Sequence, residues 1–497
     1  MTTEEKLQTS VHGLKPNCLS FGEILAQAFA GIAPTTIPAA VLGSIFALSG
    51  NGTWLSFLLG LIGVVLVTIS INQFASRSAS PGSLYSYISK ALGSTAGVIC
   101  GWSLIFAYLF NGMSFLCGIA NFVVTFLSYI GIHSPGMGVF VLATGAGITW
   151  YVAYRDIQLS AVAMLWLEFS SLVLILILCG IIWHNKGFML DMSQLSLKGV
   201  TAGNVATGLV LVMFGFTGFE GAASLGDEAK NPLKTIPKAL MWSNIISGIF
   251  FIITAYIVIL GFQGTGADLA KTDAPLTFLA EKAGLGLLGK IVAVGALCSF
   301  FAGIVGTLNP VSRIVFTMSR YGLFPASLGS AHSANRTPHN AVTLSSLLIF
   351  LVPLVMTVKK IKLFESLGYL GSISTFGFLT VYILISIAAP VYLHKINKLR
   401  PQNIIISVLA VLFMLFPVLG TIGIQGSSWF PVPDYPNNIF PYIFLAYLII
   451  TTIWFVIQRK RIPGLANKMQ AHIEEIHSQF LQQQEEVIVS SHSPYED

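Results

Sequence analysis

The apolar positions along this chain neither alternate nor form narrow helical stripes. They run on for about twenty residues at a time and stop at short polar joints. A bilayer core about 30 Å thick is crossed by about 20 apolar residues in helical form, so each run predicts a membrane span. Twelve runs can be drawn, at roughly 19–48, 53–75, 95–130, 137–154, 159–183, 204–225, 239–262, 286–308, 341–358, 364–389, 402–424 and 439–458. The joints leave no room for a soluble domain. A polar segment, 1–18, precedes the first run, and a Gln- and Glu-rich tail, 459–497, follows the last.

Two runs carry their own breaking points. In the first, "AQAFAGIAPTTIPAAVLG", Gly31, Pro34, Thr35, Thr36 and Pro38 fall close together. Gly31 suits a helix end in the left-handed conformation. Pro34 removes a donor and disfavours helix at Ala33. Thr36 can cap a new helix with Pro38 in its first turn. The run therefore reads as end, gap and restart, or as a plain proline kink. In the sixth run, "LVLVMFGFTGFEGAASLGDEAKNP", Gly215, Gly218 and Gly221 surround Glu220. Each glycine weakens a helix by about 1 kcal/mol relative to alanine. Broken helices in matching places of two halves mark a transporter built from inverted repeats, with the substrate site at the breaks. The expected architecture is all-α: twelve spans, with five in 19–183, five in 204–389 and a final pair in 402–458. Discontinuous helices one and six lie at its centre.

Composition agrees. Charged residues make up 9% of the chain, against about 25% in soluble globular proteins, and mean hydropathy is +0.79. Placing the N-terminus in the cytoplasm puts eighteen of the 26 Lys and Arg inside and eight outside, which favours both termini inside. Nothing resembles a cleaved signal peptide, so insertion uses the first span itself. The net charge of +6 sits in joints and reads as topology, not as nucleic-acid binding. Four of the five cysteines lie in apolar runs without a CxxC pair or a histidine cluster, so they read as apolar filler and no metal or cofactor is expected. No phosphate-binding loop appears, which argues against ATP drive. No HExxH, carboxylate pair or nucleophile pattern supports a membrane enzyme. A sensor that keeps a transporter's fold remains an alternative.

Three further stretches carry a family resemblance: "FGFTGFEGAASLGDEAKNPLKTIPKAL" (214–240), "SPGSLYSYISKALG" (80–93) and "NPVSRIVFTMSRYGLFP" (309–325). Together they resemble the sixth span, the first cytoplasmic loop and the end of the eighth span of permeases of the amino acid–polyamine–organocation superfamily. The resemblance covers roughly residues 18–458. It departs at the first gap, which reads Gly-Ile-Ala-Pro-Thr-Thr, and at Tyr321, where an acidic residue is common. It implies a secondary active transporter of amino acids in a plasma membrane, of bacterial inner-membrane type. Such a protein works by alternating access, as a proton-coupled symporter or an exchanger; a polyamine or other organic amine is the competing substrate.

The resemblance also assigns residues. It implies that the substrate carboxylate docks on Gly31, Ala33, Pro34, Thr35 and Thr36, where N–H groups and a helix dipole suit an anion. The amine would meet carbonyls near Phe214, Gly215 and Phe216, beside Thr217 and Gly218, with Phe214 as a gating aromatic. Glu220, a carboxylate inside the span, is a functional candidate on chemistry alone. It reads as an amine partner or as part of a gating network. Glu168 in span five stands where some relatives carry a lysine that replaces sodium, and reads as the proton-coupling group or as a structural carboxyl. Ser299 in span eight is a candidate hydroxyl for a sodium site, the lesser reading. Tyr108 and Asn111 share a face of span three. With Ser366, Tyr369, Ser372 and Ser374 of span ten, they are polar enough to line a pathway or to bond between helices. Asp227, Glu228, Lys230, Lys234 and Lys238, with Arg313 and Arg320, are candidates for an inner latch.

Overall fold

The computed structural model describes residues 13–471, apart from 130, 133, 135, 156, 273, 428, 463, 466–468 and 470. The readings of residues 1–12, and of the tail beyond 471, concern residues outside that set. The described residues form helices and turns with no strand; a parallel bridge joins Leu19 to Ala229.

The helices are α1 (Phe21–Ile32), α2 (Leu42–Ser49), α3 (Thr53–Ala75), α4 (Ser83–Leu92), α5 (Ser94–Tyr129), α6 (Met137–Arg155), α7 (Ile157–Asn185), α8 (Met192–Leu195), α9 (Ala202–Gly215), α10 (Pro232–Phe262), α11 (Pro275–Lys282), α12 (Gly286–Arg320), α13 (His339–Val358), α14 (Leu363–Lys395), α15 (Pro401–Ile422) and α16 (Phe440–Arg461). Among the described residues, eleven segments are long and apolar enough to cross a membrane. The first, Phe21–Ala75, has 55 residues. As one helix it would be about 80 Å long, far beyond a bilayer core of about 30 Å. It is instead broken between α1 and α2 and turned at Gly50–Gly52 before α3. The sequence divides this stretch into two runs; the turn between them is only three residues long.

The long helices α5, α12 and α14 form the middle of the bundle, with α5 packed along both α14 and α12. Helices α15 and α16 lie on the flank, and their outward Leu412, Ile405 and Ile450 are exposed as lipid-facing residues are. Stretch 80–93, read from sequence as a loop, is mostly helix α4, folded back inside the protein. So short a helix depends on packing to form. Tyr85, Tyr87 and Ile88 on it are buried, Tyr87 stacks on Phe74 with ring centroids 5.4 Å apart, and Lys395 Nζ donates to the Ala91 carbonyl at 2.8 Å.

Candidate substrate site at two helix breaks

Helix α1 begins after Ser20, whose N–H donates to Glu23 Oε2 at 2.6 Å. It ends because Pro34 brings no N–H for the Ala30 carbonyl four residues earlier. The residue that turns left-handed is Ala33 (φ 47, ψ 60), with its N–H on the Phe29 carbonyl at 2.7 Å. Gly31, expected from sequence to make that turn, stays helical. The chain restarts as a π-helical turn, Ile37–Val41, with Pro38 at its start. Thr36 does not cap it with its side chain, as the sequence reading expects. Its hydroxyl instead reaches back across the break and donates to the Ala33 carbonyl at 2.7 Å, and its oxygen accepts no N–H of the restarting turn. Thr35 is fully buried, and its hydroxyl oxygen has no partner.

The second break follows α9. Phe216 and Thr217 turn, Gly218 takes φ 99, and a 3₁₀ stretch, Phe219–Leu225, carries the chain onward. Thr217 Oγ1 donates to the Phe214 carbonyl at 2.8 Å. The Phe216 side chain packs edge-on against Phe251 at 5.1 Å, so only its backbone belongs to the break. Gly215 lies against Ile37 of the first break.

The two breaks touch. A β-carbon on Gly31 would collide with the Gly218 carbonyl, and one on Gly218 with the Gly31 carbonyl. Glycine is therefore required at Gly31 for close approach, and at Gly218 both for that and for its positive φ. Phe214 is half-buried beside this contact. Its ring stands over Gly371 of α14, 2.7 Å from where a β-carbon would sit, with Ser114 Oγ close by.

Glu220 is fully buried and its carboxylate is engaged on both oxygens. Tyr108 of α5 donates to Oε1 at 2.7 Å, and Tyr382 of α14 donates to Oε2 at 2.6 Å. The Tyr382 oxygen in turn accepts the Gly218 N–H at 3.4 Å. Hydrogen bonds to a charged group are worth about 1.5–3 kcal/mol each. This network ties the second break to two neighbouring spans. Tyr382 was missed in the sequence because a tyrosine within a mostly apolar run looks like packing. Asn111, one turn above Tyr108, is buried with Oδ1 unpartnered. Ser366 Oγ of α14 is likewise buried without a partner, while Ser374 bonds its own helix at Gly371. Tyr369 meets Phe440 of α16 at 6.1 Å.

Glu168 and Ser299, the two expected coupling residues, are brought together. Ser299 Oγ donates to Glu168 Oε1 at 2.7 Å, and Glu168 Oε2 is buried without a partner. One turn along, Ser171 Oγ donates to the Gly295 carbonyl at 2.5 Å, so the α7–α12 seam carries two polar contacts. Of the charged cluster at the end that holds residues 13–20, Glu228 and Arg313 form a wholly buried two-pronged pair: Arg313 Nε meets Glu228 Oε2 at 3.1 Å and Nη2 meets Oε1. Lys230, Lys234 and Lys238 are exposed. Away from the breaks, an apolar groove of about 710 Å³ opens between α3, α9 and α15, lined by Leu59, Leu209, Leu412 and Phe413 among others.

The chain is similar over 418 residues, at 27% identity, to the branched-chain amino acid permease BcaP of Bacillus subtilis, covering 76% of this chain and 84% of that protein. It is 27% identical to the low-affinity putrescine importer PlaP of Escherichia coli over 57% of this chain and 63% of that one. It is 25% identical to mouse cationic amino acid transporter 4 over 65% and 53% respectively. The family model described as amino acid permease matches residues 23–468. A multi-pass helical protein with two broken helices in contact, matched by that model over nearly its whole length, belongs to the amino acid permease family and is a membrane transporter, not an enzyme.

Proposed function

We propose that this protein is a secondary active transporter that carries a neutral amino acid across a bacterial plasma membrane by alternating access, with proton coupling. The observation that carries the reading is the backbone contact of the two breaks at Gly31 and Gly218. Broken helices in a bilayer are tolerated where their freed polar groups line a protein site. In this reading the first helix restarts with N–H groups that suit a carboxylate, beside the Thr35 hydroxyl. Backbone carbonyls at 215–217 take the ammonium group. Phe214 closes over the substrate, and Asn111 faces its side chain. The Glu220 network holds the second break in shape.

A neutral side chain is favoured because the buried carboxylate nearest the breaks is already engaged by Tyr108 and Tyr382. The twelve runs then make twelve crossings, α1 and α9 open two inverted sets of five, and α15 and α16 are the added pair. Both termini are cytoplasmic. Glu168 carries the coupling proton, since protonation of its carboxylate changes the bond to Ser299 between α7 and α12. Sodium is the less favoured ion because its site needs several oxygens at one place, and no second Ser or Thr directly follows Ser299. Residues 1–18 and 459–497 then flank the bundle on the cytoplasmic side.

A thermal-shift screen of the purified protein tests the substrate class. A ligand that binds only the folded state raises the melting point, and branched-chain amino acids are expected to do so. A shift with putrescine and none with any amino acid would favour the amine reading. Uptake of the stabilising ligand into proteoliposomes, driven by an imposed pH gradient, then separates a transporter from a sensor.

A further inference from the structure

Two amides lie buried one turn below the first break. Gln27 of α1 donates from Nε2 to the Gly306 carbonyl of α12 at 2.7 Å. Asn309 Nδ2 donates to Gln27 Oε1 at 2.9 Å. Both residues are essentially inaccessible. The Gly306 carbonyl is held where α12 meets the broken helix, for a β-carbon on Gly306 would stand 2.6 Å from the Ala30 carbonyl carbon. The Asn309 carbonyl accepts Arg313 Nη1 at 3.0 Å, and Arg313 holds Glu228. The Glu228 carbonyl accepts the N–H groups of Cys18 and Leu19 at 2.8 and 2.9 Å, just ahead of α1, and the Lys230 N–H returns to the Leu19 carbonyl at 2.8 Å. These bonds close a ring: residues 18–19, α1, Gln27, α12, Arg313, Glu228, and back to 18–19.

We propose that Gln27 and Asn309 are positioning residues of the transport cycle. They pin the first half of the broken helix to α12 while the end of the bundle that holds residue 18 is closed, and their release opens that end. The inference rests on the alternating-access reading above. Its physical basis is the kind of contact made. Ala30 against Gly306 is a contact of small residues, which leaves two surfaces able to part. The amide pair supplies directional bonds that can be broken and remade as a unit, and it lies in series with the Glu228–Arg313 pair. Polar side chains inside a span bond across helices in this way. The ring also joins the substrate break to the closure, four residues from Gln27 to Gly31.

Cys18 is a native reporter. It is half-buried, and its backbone is part of the ring. In nanodiscs, the rate of Cys18 modification by a soluble maleimide, resolved by peptide mass, reads the opening of this end. Gln27→Leu removes both amide bonds. It is expected to speed Cys18 labelling about tenfold, the shift that about 1.4 kcal/mol gives, a typical net value for one to two hydrogen bonds. Asn309→Ala removes the bond from the other side and is expected to act in the same direction. The double variant is expected to add less than the two singles combined, because they share a bond. The KM for substrate offered from the opposite end is expected to rise with the lost closed fraction while kcat is kept; a purely structural role would lower the amount of active protein and leave KM alone.

Should Gln27→Leu fail to fold, Gln27→Met, closer in length, takes its place beside Asn309→Ala. Amino acid uptake with wild-type labelling and KM in the folded variants overturns the pin alone. Faster labelling in a protein that takes up no amino acid supports the pin and overturns the transport reading.

Discussion

Replacing Gly218 with alanine is the sharpest perturbation of the paired breaks. Two costs add there. Gly218 has φ 99, where an L side chain is strained, by about 1–2 kcal/mol. Its new β-carbon would also lie 2.5 Å from the Gly31 carbonyl oxygen, a backbone atom that cannot swing aside; overpacking of this kind costs about 1–3 kcal/mol. The sum is about 2–5 kcal/mol. Gly31→Ala, helical but facing the Gly218 carbonyl, carries only the second cost, about 1–3 kcal/mol. Gly368→Ala on α14 has open space and an ordinary φ, so it serves as the control. Thermal unfolding in detergent, together with substrate-induced stabilisation, is expected to rank them Gly218→Ala worst, Gly31→Ala next and Gly368→Ala close to wild type. Both break variants are expected to lose the ligand shift. If they melt with the control and keep that shift, the breaks do not touch as described.

Glu168→Gln is expected to abolish uptake driven by a pH gradient while preserving exchange of internal for external substrate; equal loss of both modes would remove Glu168 from coupling. Glu228→Gln, which leaves Arg313 buried without its full partner, is expected to destabilise by about 3–5 kcal/mol, and a melting point unchanged from wild type would contradict the buried pairing. Tyr382→Phe and Tyr108→Phe each remove one donor to Glu220 and are each expected to cost about 1.5–3 kcal/mol; a melting point unchanged from wild type in both would contradict the network. Asp191, in the joint ahead of α8, is pushed up by burial, but bonds from Ser193, Gln194 and Gln263 outweigh this and hold it below the ordinary aspartate value. A group lowered on folding contributes stability above its ordinary value and loses it as pH falls through the folded one. The melting-point difference between wild type and Asp191→Asn is therefore expected to be full at neutral pH and to shrink only below about pH 4; a difference independent of pH would refute it.

What was legible in the sequence follows from what each signal depends on. Long apolar runs depend on bilayer thickness alone, so most helices lie within a few residues of their runs, while α10, α12 and α14 extend six to twelve residues beyond theirs. The breaks could be read because proline and glycine act locally. Which residue would turn left-handed could not: Ala33 takes that conformation, while Gly31 stays helical and bare against Gly218, a contact nearly two hundred residues away in sequence. Thr36 departs from its expected role for a similar reason: its hydroxyl is turned back to donate to the Ala33 carbonyl, and its oxygen takes no N–H of the restarting turn. Glu168 and Ser299 were each singled out, but nothing local says that they meet. Gln27 and Asn309 carried the same signal as Glu168, a polar side chain in an apolar run, and their pairing depends on the packing of α1 on α12.

The most direct measurement is an experimentally determined structure of the protein with its stabilising amino acid bound. The account predicts density across the two breaks, with the carboxylate at the N–H groups around Thr35 and Thr36 and the ammonium at the carbonyls of Gly215 to Thr217. A ligand seated elsewhere, with both breaks empty, would contradict it.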